Sequence, residues 1–217
     1  VIARSDVVGS LLRPSALVSA RRACEAGESG PAALKKAEDE AIDRALLDPQ
    51  IREGYRQRGS DPEEVIDRCI EMDHAIISGP SEVTIAIHLC RGNNQSKFYA
   101  EGDYEPISRI CQKTLFQRFL LEFDDERSGG FEPLRQVPED RTVVLGLVTT
   151  KRRPLESASE LRARIDEATK FLPPERLALS PQCGFASTME GNWITAEEQR
   201  AKLELVGSVA RSVWGEG

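Results

Sequence analysis

No stretch of this sequence approaches the roughly 20 apolar residues of a membrane-spanning helix, so a bilayer-embedded role is not expected. The first residues, Val1-Ile2-Ala3-Arg4-Ser5-Asp6, lack the charged segment and apolar run of a secretion signal. Basic charge is not in excess either: 29 Lys and Arg stand against 36 Asp and Glu, a formal net charge of -7. A nucleic-acid partner would need a strong local basic patch. The one dense cluster, Lys151-Arg152-Arg153, reads as a solvated turn or a clamp for a single anionic group. Neither a nucleic acid nor a membrane is expected as partner. Disulfide-framework spacing is also missing, because the five cysteines (24, 69, 90, 111 and 183) are odd in number and widely scattered. That usage suits a reducing compartment, and the cytoplasm is the expected location. Histidine occurs only twice. What is present is globular: 40% hydrophobic and 30% charged residues, in a chain long enough for one sizeable core.

The periodicity predicts alternating strands and helices. Ser5 to Ser10 reads as a short buried strand, and Pro31 to Leu47 as a helix punctuated by Asp48-Pro49. A second helix starts near Ser60-Asp61-Pro62 and runs to about Ile77. Glu82 to His88 alternates and is β-branched, which predicts a strand; a polar loop follows from Arg91 to Tyr104. A helix over 105–118 precedes a strand at 119–123. Thr142 to Val148 is the strongest strand pattern, Ser157 to Phe171 an amphipathic helix, and Leu177 to Ser180 a brief strand. Thr195 to Trp214 closes the chain as a helix, with Thr195 and Glu198 as a capping box. About five parallel strands with helices are therefore expected, in an α/β fold whose chemistry gathers at the C-terminal strand ends.

His88 and Cys90 are two apart at such an end, so both side chains point to one side of the strand. Imidazole and thiolate could then share a metal ion. Alone, the pair is more often a core histidine beside a buried cysteine. Cys183, in a Pro-Gln-Cys-Gly turn, adds a third soft ligand, although a lone cysteine there is usually a small buried residue. Glu122 is an acid inside the apolar stretch Leu120-Leu121-Glu122-Phe123, readable as a fourth ligand or as a carboxylate paired with Arg127. His74, within the second helix, reads as a packing or surface residue, and Cys24, Cys69 and Cys111 read as structural. Two thiolates and a carboxylate around zinc would leave the centre net negative. It would be poor at activating water, yet able to hold an incoming thiol as an electron-rich thiolate.

Several segments resemble the C-terminal catalytic domain of cobalamin-independent methionine synthase, and more closely its short single-barrel relatives. They are Asp6-Val7-Val8-Gly9-Ser10 with Leu12-Arg13-Pro14, His88-Leu89-Cys90-Arg91-Gly92-Asn93, and Leu121-Glu122-Phe123-Asp124-Asp125-Glu126-Arg127. Gly146-Leu147-Val148-Thr149-Thr150-Lys151 and Ser180-Pro181-Gln182-Cys183-Gly184-Phe185 complete the set, in the family's order along the whole chain. The resemblance implies a (β/α)8 barrel of the methionine synthase type and a zinc site on His88, Cys90, Glu122 and Cys183. It also implies substrate contacts from Gly9 and Ser10.

One departure stands out. An internal block is missing near residues 44–48, where AEDEAIDRA runs directly into LLDPQIREGYRQRG. The expected domain, spanning 1–217, is thus an incomplete or modified barrel. It would have to close differently, associate as a homo-oligomer, or expose apolar surface. The expected activity is transfer of a methyl group from a folate-type donor to a small thiol, homocysteine giving methionine. Glu122 would be the labile ligand, Cys183 would hold the reacting centre, and Lys151 would partner an anionic group. The alternatives are a related thiol alkyltransferase, such as one joining coenzyme M to an epoxide, and an inactive zinc-binding fragment with an interaction role.

Overall fold

A computed structural model of the chain describes residues 49–77, 84–93, 96, 97, 100–105, 107–186 and 191–215. The expected strand at 5–10, the helix at 31–47, the missing-block junction, Gly9, Ser10 and Cys24 lie outside the described residues. The described elements begin with helices α1 (Pro49–Gln57) and α2 (Pro62–Ile77), then strand β1 (Ala86–Leu89) and helix α3 (Ile107–Lys113). Strands β2 (Arg118–Glu122) and β3 (Thr142–Val148) follow, then helix α4 (Ala158–Ala168), strand β4 (Leu177–Pro181) and helix α5 (Ala196–Trp214).

The four strands form one sheet in the order β1-β2-β3-β4, and every pair is parallel. Sequential order without a reversal is that of a barrel wall; a doubly wound sheet changes direction at a switch point. The fold class is as expected: parallel α/β, with the strands of a methionine synthase-type barrel. Period-two alternation separates the two faces of the sheet. Leu120, Val144 and Ala178 cluster on one face. Phe119, Leu121, Val143, Leu145, Leu177 and Leu179 pack on the other, against Ile66 and Ile70 of α2, Leu161 and Ile165 of α4, and Val206 and Val209 of α5. β3 is buried along nearly its whole length, which is why its sequence is apolar on both faces.

Local chemistry places the helix starts. Asp61 Oδ1 accepts from the Glu63 N–H at 2.9 Å at the entry to α2. Ser157 with Glu160, and Thr195 with Glu198, form complete capping boxes at α4 and α5. Pro49 opens α1, where the sequence pattern read only punctuation; a proline at the first helical position loses no needed hydrogen bond. α1 is then tied to α2 by the Arg52–Glu63 ion pair. α3 is shorter than its pattern because the chain must re-enter the sheet at Arg118. The Gln117 N–H already donates to Ile85 O at 2.9 Å, and the Ile85 N–H donates to Gln117 Oε1 at 2.7 Å.

Candidate metal centre

Three strand ends deliver the four candidate ligands. His88 lies in β1 with Cys90 just beyond it, Glu122 ends β2, and Cys183 follows β4. Register explains their convergence: His88 pairs with Leu120, so Glu122, two residues on, shares the face that carries His88. Glu122 pairs in turn with Gly146, and Gly146 with Ser180. A Cβ on Gly146 would lie 2.9 Å from both Gln182 Cα and Leu121 O. Only glycine lets the backbone after β4 cross there and carry Cys183 toward Cys90.

The ligand atoms of His88, Cys90, Glu122 and Cys183 all lie within 4.8 Å of one another. The two sulfurs are 3.6 Å apart, well beyond the ~2.05 Å of a disulfide. Tetrahedral zinc would separate two sulfur ligands by roughly 3.7 Å and a nitrogen–oxygen pair by roughly 3.4 Å. His88 Nε2 and Glu122 Oε1 are 3.3 Å apart. Both are buried and neither has a hydrogen-bond partner, so two polar atoms face a common point that no protein group satisfies. The donor set fits a four-coordinate metal.

Surrounding groups aim these atoms. His88 Nδ1 lies 3.2 Å from Leu120 O; donating there, it leaves Nε2 as the ligating nitrogen. Glu122 Oε2 accepts from the Arg91 N–H at 2.9 Å, which leaves Oε1 toward His88. The Gly92 N–H donates to Cys90 Sγ at 3.2 Å. Electrostatics sorts the cluster. Cys183 pushes the Cys90 thiol up, reinforced by burial and the Glu122 charge. Cys183 itself is depressed, first by Cys90 and then by His88. Burial opposes a charge on His88, but Cys183 and Glu122 outweigh it and raise the imidazole to about 9. Burial likewise opposes the Glu122 carboxylate, yet His88, Lys151 and the Arg91 N–H hold it below the usual range.

Glu122 does not pair with Arg127, which is held by Asp125 instead. Lys151 is buried and donates to Asp124 Oδ2 at 3.1 Å, so the anion it meets is the chain's own. Cys69 and Cys111 lie on α2 and α3, apart from the centre, as read from their pattern. Periodicity alone did not reveal Tyr104, which closes the polar loop after β1. Its hydroxyl donates to Leu89 O at 3.0 Å, its ring lies 4.1 Å from the Arg91 guanidinium carbon, and it packs on Phe123. Gln182 and Asn93 were visible only as members of the quoted motifs.

Comparison with known proteins bears on the family and the fold. Residues 32–211 match the family model described as the cobalamin-independent synthase catalytic domain. The chain is 47% identical over 145 residues to the uncharacterized protein YxjG of Bacillus subtilis, covering 66% of this chain and 38% of that protein. It is 43% identical over 166 residues to YxjH of the same organism, covering 75% and 44% respectively. The chain thus spans less than half the length of these relatives. The putative vitamin-B12 independent methionine synthase structure from Listeria monocytogenes superposes with a TM-score of 0.52 at 30% identity, over 71% of this chain and 42% of that one. On the extent of the family match and the shared fold, the chain belongs to the family of the cobalamin-independent synthase catalytic domain.

Proposed function

We propose that this domain transfers a methyl or related alkyl group to a small thiol, in the first instance from a 5-methyltetrahydrofolate-type donor to homocysteine. The observation that carries the reading is the convergence of His88 Nε2, Cys90 Sγ, Glu122 Oε1 and Cys183 Sγ at the strand ends of a methionine synthase-type fold. These four residues would hold zinc. Zinc so held would supply the positive charge that lowers a thiol's pKa from its ordinary ~8.5 while keeping its sulfur electron-rich.

The chain's own groups do the rest. His88 keeps one tautomer because Nδ1 is committed to the Leu120 carbonyl. Glu122 is anchored through one oxygen only, so its other oxygen can withdraw when a substrate sulfur arrives. In the reaction the thiol first loses its proton. Its sulfur then forms a bond to the methyl carbon as the carbon–nitrogen bond of the donor breaks. The electron pair passes to that nitrogen, which takes up a proton. Gly9 and Ser10 would contact the thiol substrate.

The test is metal content followed by turnover. The purified chain should hold stoichiometric zinc and methylate homocysteine with methyl-folate in preference to other thiol and alkyl donors. Chelation should abolish turnover and lower the melting temperature together. Absence of zinc binding would sink the proposal, and so would a flat response to every thiol and donor.

A further inference from the structure

Two of the four candidate ligands are not held by the sheet. His88 and Glu122 sit at paired positions, opposite Leu120 and Gly146. The last pairs of β1 and β4 are Leu89 with Leu121 and Pro181 with Val148, and Cys90 and Cys183 lie beyond them, each on a loop. Fixing two loops costs conformational entropy, which an ion arriving at open loops would have to offset from its own binding. The 3.6 Å separation of the sulfurs therefore needs a cause within the loops themselves.

Asn192 supplies one. Its Oδ1 accepts from the Ser96 N–H at 3.3 Å, on the loop that carries Cys90. Its Nδ2 donates to Gly184 O at 3.3 Å, next to Cys183, and to Thr150 O at 3.2 Å, on the loop after β3. One peptide N–H and two carbonyls fix the sense of this amide, since turning it over would set oxygen against oxygen. Two further bonds lock the next residue. The Trp193 N–H donates to Ser96 Oγ at 3.1 Å, and Arg153 Nε donates to Trp193 O at 2.9 Å. Ser96 is the one non-glycine residue with a positive φ, 64°, among the described residues. A serine stays in that left-handed conformation where its surroundings impose it. Asn93, Thr150 and Gln182 tie the same three loops from within, Asn93 Nδ2 donating to Thr150 Oγ1 and Thr150 Oγ1 to Gln182 Oε1, each at 2.9 Å.

We propose that Asn192 is a positioning residue of the metal centre: by bridging the loops of Cys90 and Cys183, it sets the two sulfurs at ligand separation before an ion arrives. Truncating its side chain frees three loops at once. The inference rests on the metal reading of the four-residue cluster and is independent of which thiol or donor is used.

Zinc titration of the full chain against a competing chelator, in a Trp214→Phe background, tests this. That background leaves Trp193 as the only tryptophan, and its ring, 60% exposed, reports motion of the bridge through fluorescence anisotropy. Trp214 Nε1 donates to Pro174 O, so its loss also shows what a hydrogen bond broken elsewhere does to zinc affinity. In the metal-free chain the anisotropy of Trp193 should already equal that of the zinc-loaded chain. Asn192→Ala should lower it and weaken zinc by about tenfold, the scale for residues that orient ligands. Ser96→Pro opens the bridge from the other loop, because proline has no N–H to donate and cannot take a positive φ. It should match Asn192→Ala in both readings, and Trp214→Phe alone should leave zinc affinity unchanged. Native zinc affinity in Asn192→Ala, or an equal loss in Trp214→Phe, would overturn the inference while leaving the metal centre intact. An anisotropy that rises only on adding zinc would overturn it too, since the ion would then be closing the loops. If the unmodified chain binds no zinc, the metal reading falls and this inference with it.

Discussion

The hydroxyl of Tyr104 accepts a hydrogen bond from the Glu122 N–H at 2.8 Å, in a residue with no solvent exposure. The same hydroxyl donates to the Leu89 carbonyl, so one atom fastens the ends of β1 and β2 that carry His88 and Glu122. Tyr104→Phe would leave two buried backbone groups unsatisfied. We expect a loss of about 2 kcal/mol in unfolding free energy, as judged from ~1–3 kcal/mol for such groups. Zinc affinity should fall with it, because the ligand-bearing ends are no longer clamped. Denaturant unfolding and a competitive chelator titration measure the two effects. Wild-type values in both would show that the clamp is dispensable.

Cys183 and Cys111 are both buried, but only Cys183 lies within the four-residue cluster. Burial, only partly offset by the Arg141 charge, pushes the Cys111 thiol up to about 12, the behaviour of an inert core residue. Cys183→Ser should lower zinc affinity by roughly 100-fold or more, since even supporting residues cost about 10–100-fold. Cys111→Ser should retain full zinc. Metal stoichiometry in the two variants decides the matter: zinc retained by Cys183→Ser removes that ligand from the assignment.

Lys151 and Asp124 form a buried ion pair with side-chain exposures of 6% and 4%. Lys151→Met strands the carboxylate, and breaking such a pair from one side costs about 3–5 kcal/mol. The double variant Lys151→Met/Asp124→Leu should recover most of that loss, because replacing both partners by apolar groups is often neutral. A thermodynamic cycle from chemical denaturation measures the coupling. Strictly additive losses would mean that the two charges do not interact.

Lys202, fully buried on α5, donates to Pro154 O and to Glu156 Oε2, each at 2.9 Å. Glu156 in turn accepts from the Thr149 N–H at 2.8 Å. This chain braces the segment between β3 and α4, where Thr150 and Lys151 sit. Lys202→Met should cost about 3 kcal/mol by stranding Glu156, and amide exchange at 149–156 should accelerate. Exchange unchanged in that segment would contradict the bracing role.

Gly146→Ala tests how closely the backbones approach. Its new Cβ would meet backbone atoms at 2.9 Å on two sides, which no side-chain rotation can relieve. Overpacking of this kind costs about 1–3 kcal/mol, and we expect weaker zinc binding because Cys183 shifts away from Cys90. A stable variant with native metal affinity would refute the close-approach role.

The local sequence determined a good deal. β3 spans Thr142–Val148 as its apolar pattern predicts, the Thr195–Glu198 cap opens α5 where its spacing places it, and α4 begins after Ser157 as its amphipathic pattern does. These features follow from sterics and hydrogen bonding within a few residues of each other. His88 and Cys90 share a side because a strand alternates, and that too is local. Only the tertiary structure decided which partners meet across the sheet. Cys90 and Cys183 are 93 positions apart, and their 3.6 Å approach depends on the register of four strands and on one glycine. Lys151 turned to Asp124, Arg127 turned away from Glu122, and Tyr104 came from a loop without any periodic signal to join two strand ends. Alternation records which side of a strand is buried; it carries no record of which polar atom lies opposite, because that is set by packing between segments far apart in the chain.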